Sequence, residues 1–196
     1  MPDGRGVSIG RRTPPLIGDR LEPSELERFE ALVLPHLDAA YTLARYLTRD
    51  DTDAQDVVQE ASLRALRHFS GFRGDGSVAG RAWLLAIVRN TAYTWRHRRR
   101  ADALASEFDE TRHSEAVADD NPETAAVAAG DREALRRAID QLPPEFREVI
   151  VLRELEGLSY KEISDVAGVP VGTVMSRLSR ARRRLEQALC AVKGEG

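Results

Sequence analysis

Residues 159–185, SYKEISDVAGVPVGTVMSRLSRARRRL, decide how this chain is put together. Ser159 followed by Glu162 has capping-box spacing, in which the hydroxyl accepts from an early helix amide and the carboxylate reaches back to the cap amide. The box opens a short helix over residues 160–167. Gly168-Val169-Pro170 then makes a tight turn, glycine adopting backbone angles that other residues resist and proline suiting the first turn of the next helix. In that next helix Val174, Leu178, Ala181, Leu185 and Leu189 share one face. A short helix, a glycine-containing turn and a longer helix make a helix-turn-helix. With the apolar stripe buried, Thr173, Ser176, Arg177 and Arg180 project from the other side, in the N-terminal half that enters a DNA major groove in this motif. Arg177, Arg180, Arg182, Arg183 and Arg184 make the stretch strongly basic. Guanidinium groups can fork onto guanine edges, and others, with the Lys161 ammonium, can neutralise phosphates. A solvated basic face would explain an isolated arginine run, but the turn and the spacing favour nucleic acid.

Upstream of this motif, Leu135, Ala138, Ile139 and Leu142 form a helical stripe ended by Pro143-Pro144, and EFREVIVLRELEG gives a further helix closed by Gly157. Residues 131–192 are therefore expected to be one helical module. Before it, residues 101–130 carry Asp102, Glu107, Asp109, Glu110, Glu115, Asp119, Asp120 and Glu123 against the lone Arg112, with few large apolar side chains. Such a composition cannot bury a core. It predicts a flexible acidic linker, with enough alanine for a helical turn or two, that leaves the flanking modules at an undefined separation.

Residues 24–100 form the other module, again helical. Ser24 with Glu27 and Thr52 with Gln55 have capping-box spacing and mark expected helix starts. After the second, Ala54, Val57, Val58, Ala61, Ala65 and Phe69 recur at helical spacing, while Asp53, Asp56, Gln59, Glu60 and Arg64 form a polar, acid-rich face. A loop over residues 70–80 holds Gly71, Gly74, Gly76 and Gly80. The helix expected from Arg81 begins apolar, with Trp83 read as core, and ends in Arg96, His97, Arg98, Arg99 and Arg100. Basic residues at a helix C-terminus also suit the macrodipole.

The chain has 196 residues, 42% hydrophobic and 31% charged, with a net charge of −3, an ordinary composition for a globular protein with room for two small cores. One cysteine, Cys190, and four scattered histidines assemble neither a disulfide framework nor a zinc site. No cofactor and no metal is expected, and cysteine usage points to a reducing, cytoplasmic compartment. Residues 1–23 lack the apolar core of a secretory signal and read as a flexible tail, and no run is long and apolar enough for membrane insertion. No phosphate-cradling glycine loop, paired acid/base carboxylates or nucleophile with an oriented histidine stands out, so an enzyme is not expected.

LPPEFREVIVLRELEGLSYKEISDVAGVPVGTVMSRLSRARRRL resembles the fourth region of extracytoplasmic-function sigma factors of the sigma-70 family, and DAQDVVQEASLRALRHF with WLLAIVRN resembles their second region. The resemblance implies an all-α protein of two small helical domains joined by a linker, which binds core RNA polymerase and directs promoter-specific transcription initiation. A helix-turn-helix regulator that is not a polymerase subunit is the alternative, but it has no use for the first module. By resemblance, Asp53, Asp56, Gln59, Glu60 and Arg64 dock on the clamp helices of the polymerase beta-prime subunit, with a solvated helix face as the plain alternative. The beta flap is implied as a second polymerase contact, and an anti-sigma factor as a regulatory partner.

The resemblance also distributes promoter contacts. The loop over residues 70–80 would capture a flipped base, and Asn90, Arg96, Arg98, Arg99 and Arg100 would grip the downstream element. Arg153, Tyr160 and Lys161 would contact the DNA backbone of the upstream element, whose bases would face Met175, Ser176, Ser179 and Arg180. Two residues depart from the family pattern. Met175 stands where Lys or Arg is usual, and Thr94 where Asp is common. The acidic linker would thread a basic polymerase channel, or serve only as a spacer.

Overall fold

A computed structural model describes residues 23–74, 76–105 and 124–194, with side chains placed for 23–74, 76–101 and 132–190. The expected N-terminal tail and most of the expected linker lie outside the described residues. Among the described residues every regular element is a helix. In chain order they are α1 (Pro23–Val33), a 3-10 turn (Leu34–His36), α2 (Leu37–Thr48), α3 (Asp51–His68), a 3-10 turn (Phe69–Gly71), α4 (Gly76–Ala105), α5 (Thr124–Gln141), α6 (Pro144–Ile150), a π-helical turn (Val151–Leu155), α7 (Tyr160–Ala167) and α8 (Val171–Gly194).

In the N-terminal half α2, α3 and α4 pack on one another, with α1 laid across α4. The stripe read on α3 is inside: Ala54, Val57, Ala61, Ala65 and Phe69 are buried, and Val58 is half-buried at its margin. Small residues on that stripe let α3 approach Leu43, Leu47, Leu84 and Leu85, each fully buried and each stabilising by about 2 kcal/mol. Trp83, expected in the core, is half-buried and packs against it, its ring 4.7 Å from that of Phe72 and 6.0 Å from that of Phe69.

Helix starts differ from expectation at three places. Asp50, not Thr52, caps α3, its Oδ1 accepting from the Asp53 amide at 2.8 Å. The chain can start there because Arg49 takes a left-handed φ of 68° and ends α2, its amide donating to the Arg45 carbonyl. α1 is already helical at Pro23, so Ser24 lies within its first turn. α4 begins at Gly76 rather than at Arg81, its first turn anchored by Ser77 Oγ 2.8 Å from His36 Nε2. The expected glycine loop therefore shrinks to a few residues after the 3-10 turn. Gly80 is helical and meets α1 so closely that an added Cβ would lie 2.3 Å from the Leu32 carbonyl oxygen.

In the C-terminal half Ala138 and Ile139 of α5 and Leu142 just after it are buried, whereas Leu135 is exposed. EFREVIVLREL does continue as a helix, but α6 widens into the π-helical turn, after which Gly157 takes a φ of 67°. Helix also extends into both ends of the expected linker, over residues 101–105 and 124–130. The two halves do not sit at an undefined separation: α4 packs against α7 and α2 against α6, and the buried residues of both halves form one continuous cluster rather than two cores.

Candidate nucleic-acid interface

Local chemistry fixes the helix-turn-helix. Ser159 Oγ accepts from the Glu162 amide at 3.3 Å while the Ser159 amide donates to Glu162 Oε2 at 2.7 Å, completing the capping box. These bonds hold the Glu162 carboxyl below its ordinary pKa. Gly168 ends α7 with a φ of 65°, and Ser164 Oγ donates to the Val169 carbonyl at 2.6 Å across the turn. The Pro170 carbonyl accepts from the Thr173 and Val174 amides, so α8 starts from proline rather than containing it. Ile163, Val166 and Ala167 of α7 are buried, as are Val174, Leu178 and Ala181 of α8, while Leu185 and Leu189 are half-buried.

Burying that stripe turns Gly172, Met175, Ser176, Ser179, Arg180 and Arg183 to the exposed side. Thr173 and Arg177, expected there too, are only half-exposed, because their flank of α8 turns toward α6, where Arg177 lies in the electrostatic range of Glu148. Arg180 and Arg183 make no hydrogen bond or salt bridge among the described residues. The rest of the arginine run is engaged: both Nε and Nη2 of Arg182 donate to Glu154 Oε1, at 3.1 and 2.6 Å, and Arg184 lies 5.1 Å over the Phe146 ring. Arg153 donates to the Leu158 carbonyl at 2.7 Å and stacks over half-buried Tyr160, so that pair holds the turn before α7. Lys161 is exposed, with Asp165 3.5 Å away.

In the other half Asp56 and Gln59 are exposed on α3, and Glu60 accepts from Arg64 at 2.7 Å beside them. Asp53 departs from the expected surface. It is 6% exposed and accepts from Arg99 at 2.6 Å, because the C-terminal part of α4 folds over the start of α3. Burial raises its pKa even though Arg99 opposes the shift. Arg99 is thereby partnered, while His97, Arg98 and Arg100 are exposed and Asn90 accepts from Arg89 at 3.1 Å. Arg96 is half-buried and lines a shallow pocket with Tyr93, His97, Arg100 and, from the other half, Pro144. Burial lowers its pKa, and the nearby guanidinium groups of Arg100 and Arg49 act in the same direction.

The polar contacts joining the halves are absent from the sequence-based set. Glu148 of α6, fully buried, accepts from the Arg89 guanidinium and, at 3.0 Å, from the Tyr93 hydroxyl. Its neighbour Arg147 is also buried, and donates to the Tyr46 carbonyl of α2 at 2.8 Å and to three carbonyls of its own half, those of Ile139, Asp140 and Leu142. Burial brings the Arg147 pKa down to about 10 and raises that of Glu148. Arg81 adds a 2.6 Å bond to Glu156, and Arg49 donates to the Asp140 carbonyl. An Arg-Glu pair inside the apolar stretch of α6 was the available signal, since buried charges occur almost only in pairs.

Residues 32–102 match the family model for sigma-70 region 2, and residues 132–185 match that for sigma-70 region 4. The RNA polymerase sigma-H factor of Pseudomonas aeruginosa is 38% identical over 179 residues, 87% of this chain and 91% of that protein. The chain belongs to the extracytoplasmic-function branch of the sigma-70 family. It is an RNA polymerase sigma factor that directs transcription initiation. The extracytoplasmic-function sigma-E factor of Escherichia coli K12 is 35% identical over 181 residues, 89% of this sigma factor and 93% of that one. Solved structures that share the fold include two sigma-factor-like chains of about the same length. The sigma factor RpoE of Bartonella quintana, in complex with the anti-sigma factor NepR, has a TM-score of 0.65 at 27% identity, covering 85% of this chain and 97% of that one. CnrH, in complex with the cytosolic domain of CnrY, has a TM-score of 0.58 at 28% identity, covering 85% and 90%. Among the described residues of this sigma factor no helix is long and apolar enough to cross a membrane.

Proposed function

We propose that the two halves divide the work of initiation. Residues 24–100 dock on core RNA polymerase through Asp56, Gln59, Glu60 and Arg64 and grip the downstream promoter element through Asn90, Arg96, Arg98 and Arg100. Asp53 serves that surface from beneath, by holding Arg99. Residues 131–192 engage the upstream element, with Ser176, Ser179 and Arg180 toward the bases and Lys161 on a phosphate. Arg153 and Tyr160 shape the turn that presents Lys161, and Thr173 and Arg177 border the reading face from the α6 side. Residues 101–130 connect the halves.

The observation that carries this assignment is the exposed side of α8, where Arg180 and Arg183 have no bonded partner among the described residues and stand beside small side chains. A guanidinium without an acid is available to guanine or phosphate, and the N-terminal half of such a helix is the part that enters the major groove. The beta-prime clamp helices and the beta flap are the polymerase surfaces expected to receive the chain. Nucleotide addition belongs to the polymerase, and this chain supplies binding and position in the cytoplasm. An anti-sigma factor is included among its partners because the matched RpoE of Bartonella quintana is a sigma factor bound to one.

The test is to add the protein to core polymerase on genomic DNA and sequence the transcript starts. The expected outcome is a set of new starts sharing an upstream and a downstream element. Starts without a common upstream element would overturn the role given to α8.

A further inference from the structure

We propose that Met175, flanked by Val171, is a thymine reader: an apolar edge on α8 that selects the C5-methyl group of thymine in the upstream promoter element. This rests on the assignment of α8 to the major groove and adds what that helix selects. Met175 is 53% exposed and Val171 40%, and they are the large apolar side chains that α8 presents to solvent among its described residues. Four residues apart, they lie one helical turn from each other on the same flank, with side chains about 5–6 Å apart. Gly172 lies between them with open space where a Cβ would be, and Ser176 and Ser179 adjoin them. These α8 neighbours are too small to hold a base edge away.

Singly scattered apolar residues on a surface mean little, but Val171 and Met175 adjoin each other on the N-terminal half of α8, the part assigned to the major groove. Arg180 and Arg183, exposed farther around the same helix, favour a polyanion over an apolar protein face. In a major groove the one apolar feature on a base edge is the thymine methyl. An isopropyl group makes no hydrogen bond and a thioether sulfur is only a weak acceptor, so guanine O6 would find no donor here and the cytosine amino group only a poor acceptor in exchange for water. The pair therefore attracts thymine and penalises guanine and cytosine at the same position. Its reach, set against a base rise of about 3.4 Å, covers neighbouring or next-but-one steps.

The test uses the full-length protein with core polymerase. Duplexes carrying a randomised upstream segment are first selected for holoenzyme binding. Each thymine of the selected element is then replaced by deoxyuridine, which removes the methyl and leaves every hydrogen-bonding group. At one or two neighbouring thymines the replacement should weaken binding about fourfold, the worth of one buried methyl. Met175→Ala should bind the thymine and deoxyuridine duplexes equally at that position while keeping wild-type preferences elsewhere. Because Met175 is half-exposed, an unchanged thermal unfolding curve separates this result from loss of fold. A selected element without thymine, or one in which deoxyuridine matches thymine throughout, overturns the proposal and leaves α8 as a DNA reader. A thymine preference that survives Met175→Ala with its methyl dependence intact also overturns it. Selection of no upstream sequence at all would instead remove the assignment of α8 on which it rests.

Discussion

Gly80 shows how a single missing carbon can set a helix contact. α4 crosses α1 there, and an added Cβ would fall 2.3 Å from a backbone oxygen, which cannot swing aside as a side chain would. Alanine is the better helix former by at most about 1 kcal/mol, whereas overpacking of this kind costs roughly 1–3 kcal/mol. Gly80→Ala is therefore expected to lower the urea midpoint, and an unchanged or higher midpoint would mean that α1 moves freely. Arg180 and Lys161 are both exposed, yet they should fail differently. Arg180→Ala should lose about 1–3 kcal/mol at one promoter position if its fork meets a guanine, while Lys161→Ala should weaken all promoters alike and flatten the salt dependence. Holoenzyme affinities across a panel of single-base promoter variants distinguish the two. A uniform loss for Arg180→Ala would reassign it to a phosphate.

At the scale of elements, α7 depends on its cap because eight residues make a marginal helix unaided. Ser159→Ala removes the acceptor for the Glu162 amide and should cost about 1 kcal/mol. The same box has a pH signature. Since the folded state lowers the Glu162 pKa below its unfolded value, the contribution is present above the unfolded value and is lost as pH falls through the folded one. Thermal unfolding followed into the acid range should show a smaller acid-side loss for Glu162→Gln than for the wild type, and parallel curves would remove the capping carboxylate from the account. On α3, replacing Asp56 and Glu60 with lysine changes a face that is outside the core. Helicity by circular dichroism should persist while capture by immobilised core polymerase falls, and wild-type capture would sink the docking assignment.

For the whole molecule, the decisive contacts are those between the halves. Glu148 stands on α6 but has its partners, Arg89 and Tyr93, on α4, so its removal leaves a guanidinium and a hydroxyl facing apolar packing. Taking one partner from a buried ion pair costs about 3–5 kcal/mol, and the partial exposure of Arg89 places the expected effect of Glu148→Ala at the lower end, about 3 kcal/mol. The free chain should then expand in small-angle scattering, with helix content retained in both halves. A scattering profile identical to the wild type would show that the apolar contacts of α2, α4, α6 and α7 hold the halves together without the pair.

The sequence by itself determined much of what lies within reach of a few neighbouring residues, although Ser24 and Thr52 share the capping spacing and do not cap. Helical periodicity put Ala54, Val57, Ala61, Val174 and Leu178 inside, the Ser159–Glu162 spacing placed the start of α7, and Gly168 marked its end, because each depends on bonds or faces set within about one turn. Periodicity also separates a polar face from an apolar one, but it does not say which distant helix will cover that polar face. Only the tertiary structure decided that Asp53 lies under Arg99, that the flank of α8 carrying Arg177 is half-buried while Arg180 and Arg183 have no bonded partner among the described residues, and that Arg147 donates across to the Tyr46 carbonyl. Each of these joins residues on different helices, most of them far apart in the chain. Their geometry follows from how helices pack as bodies, and local spacing carries little record of it.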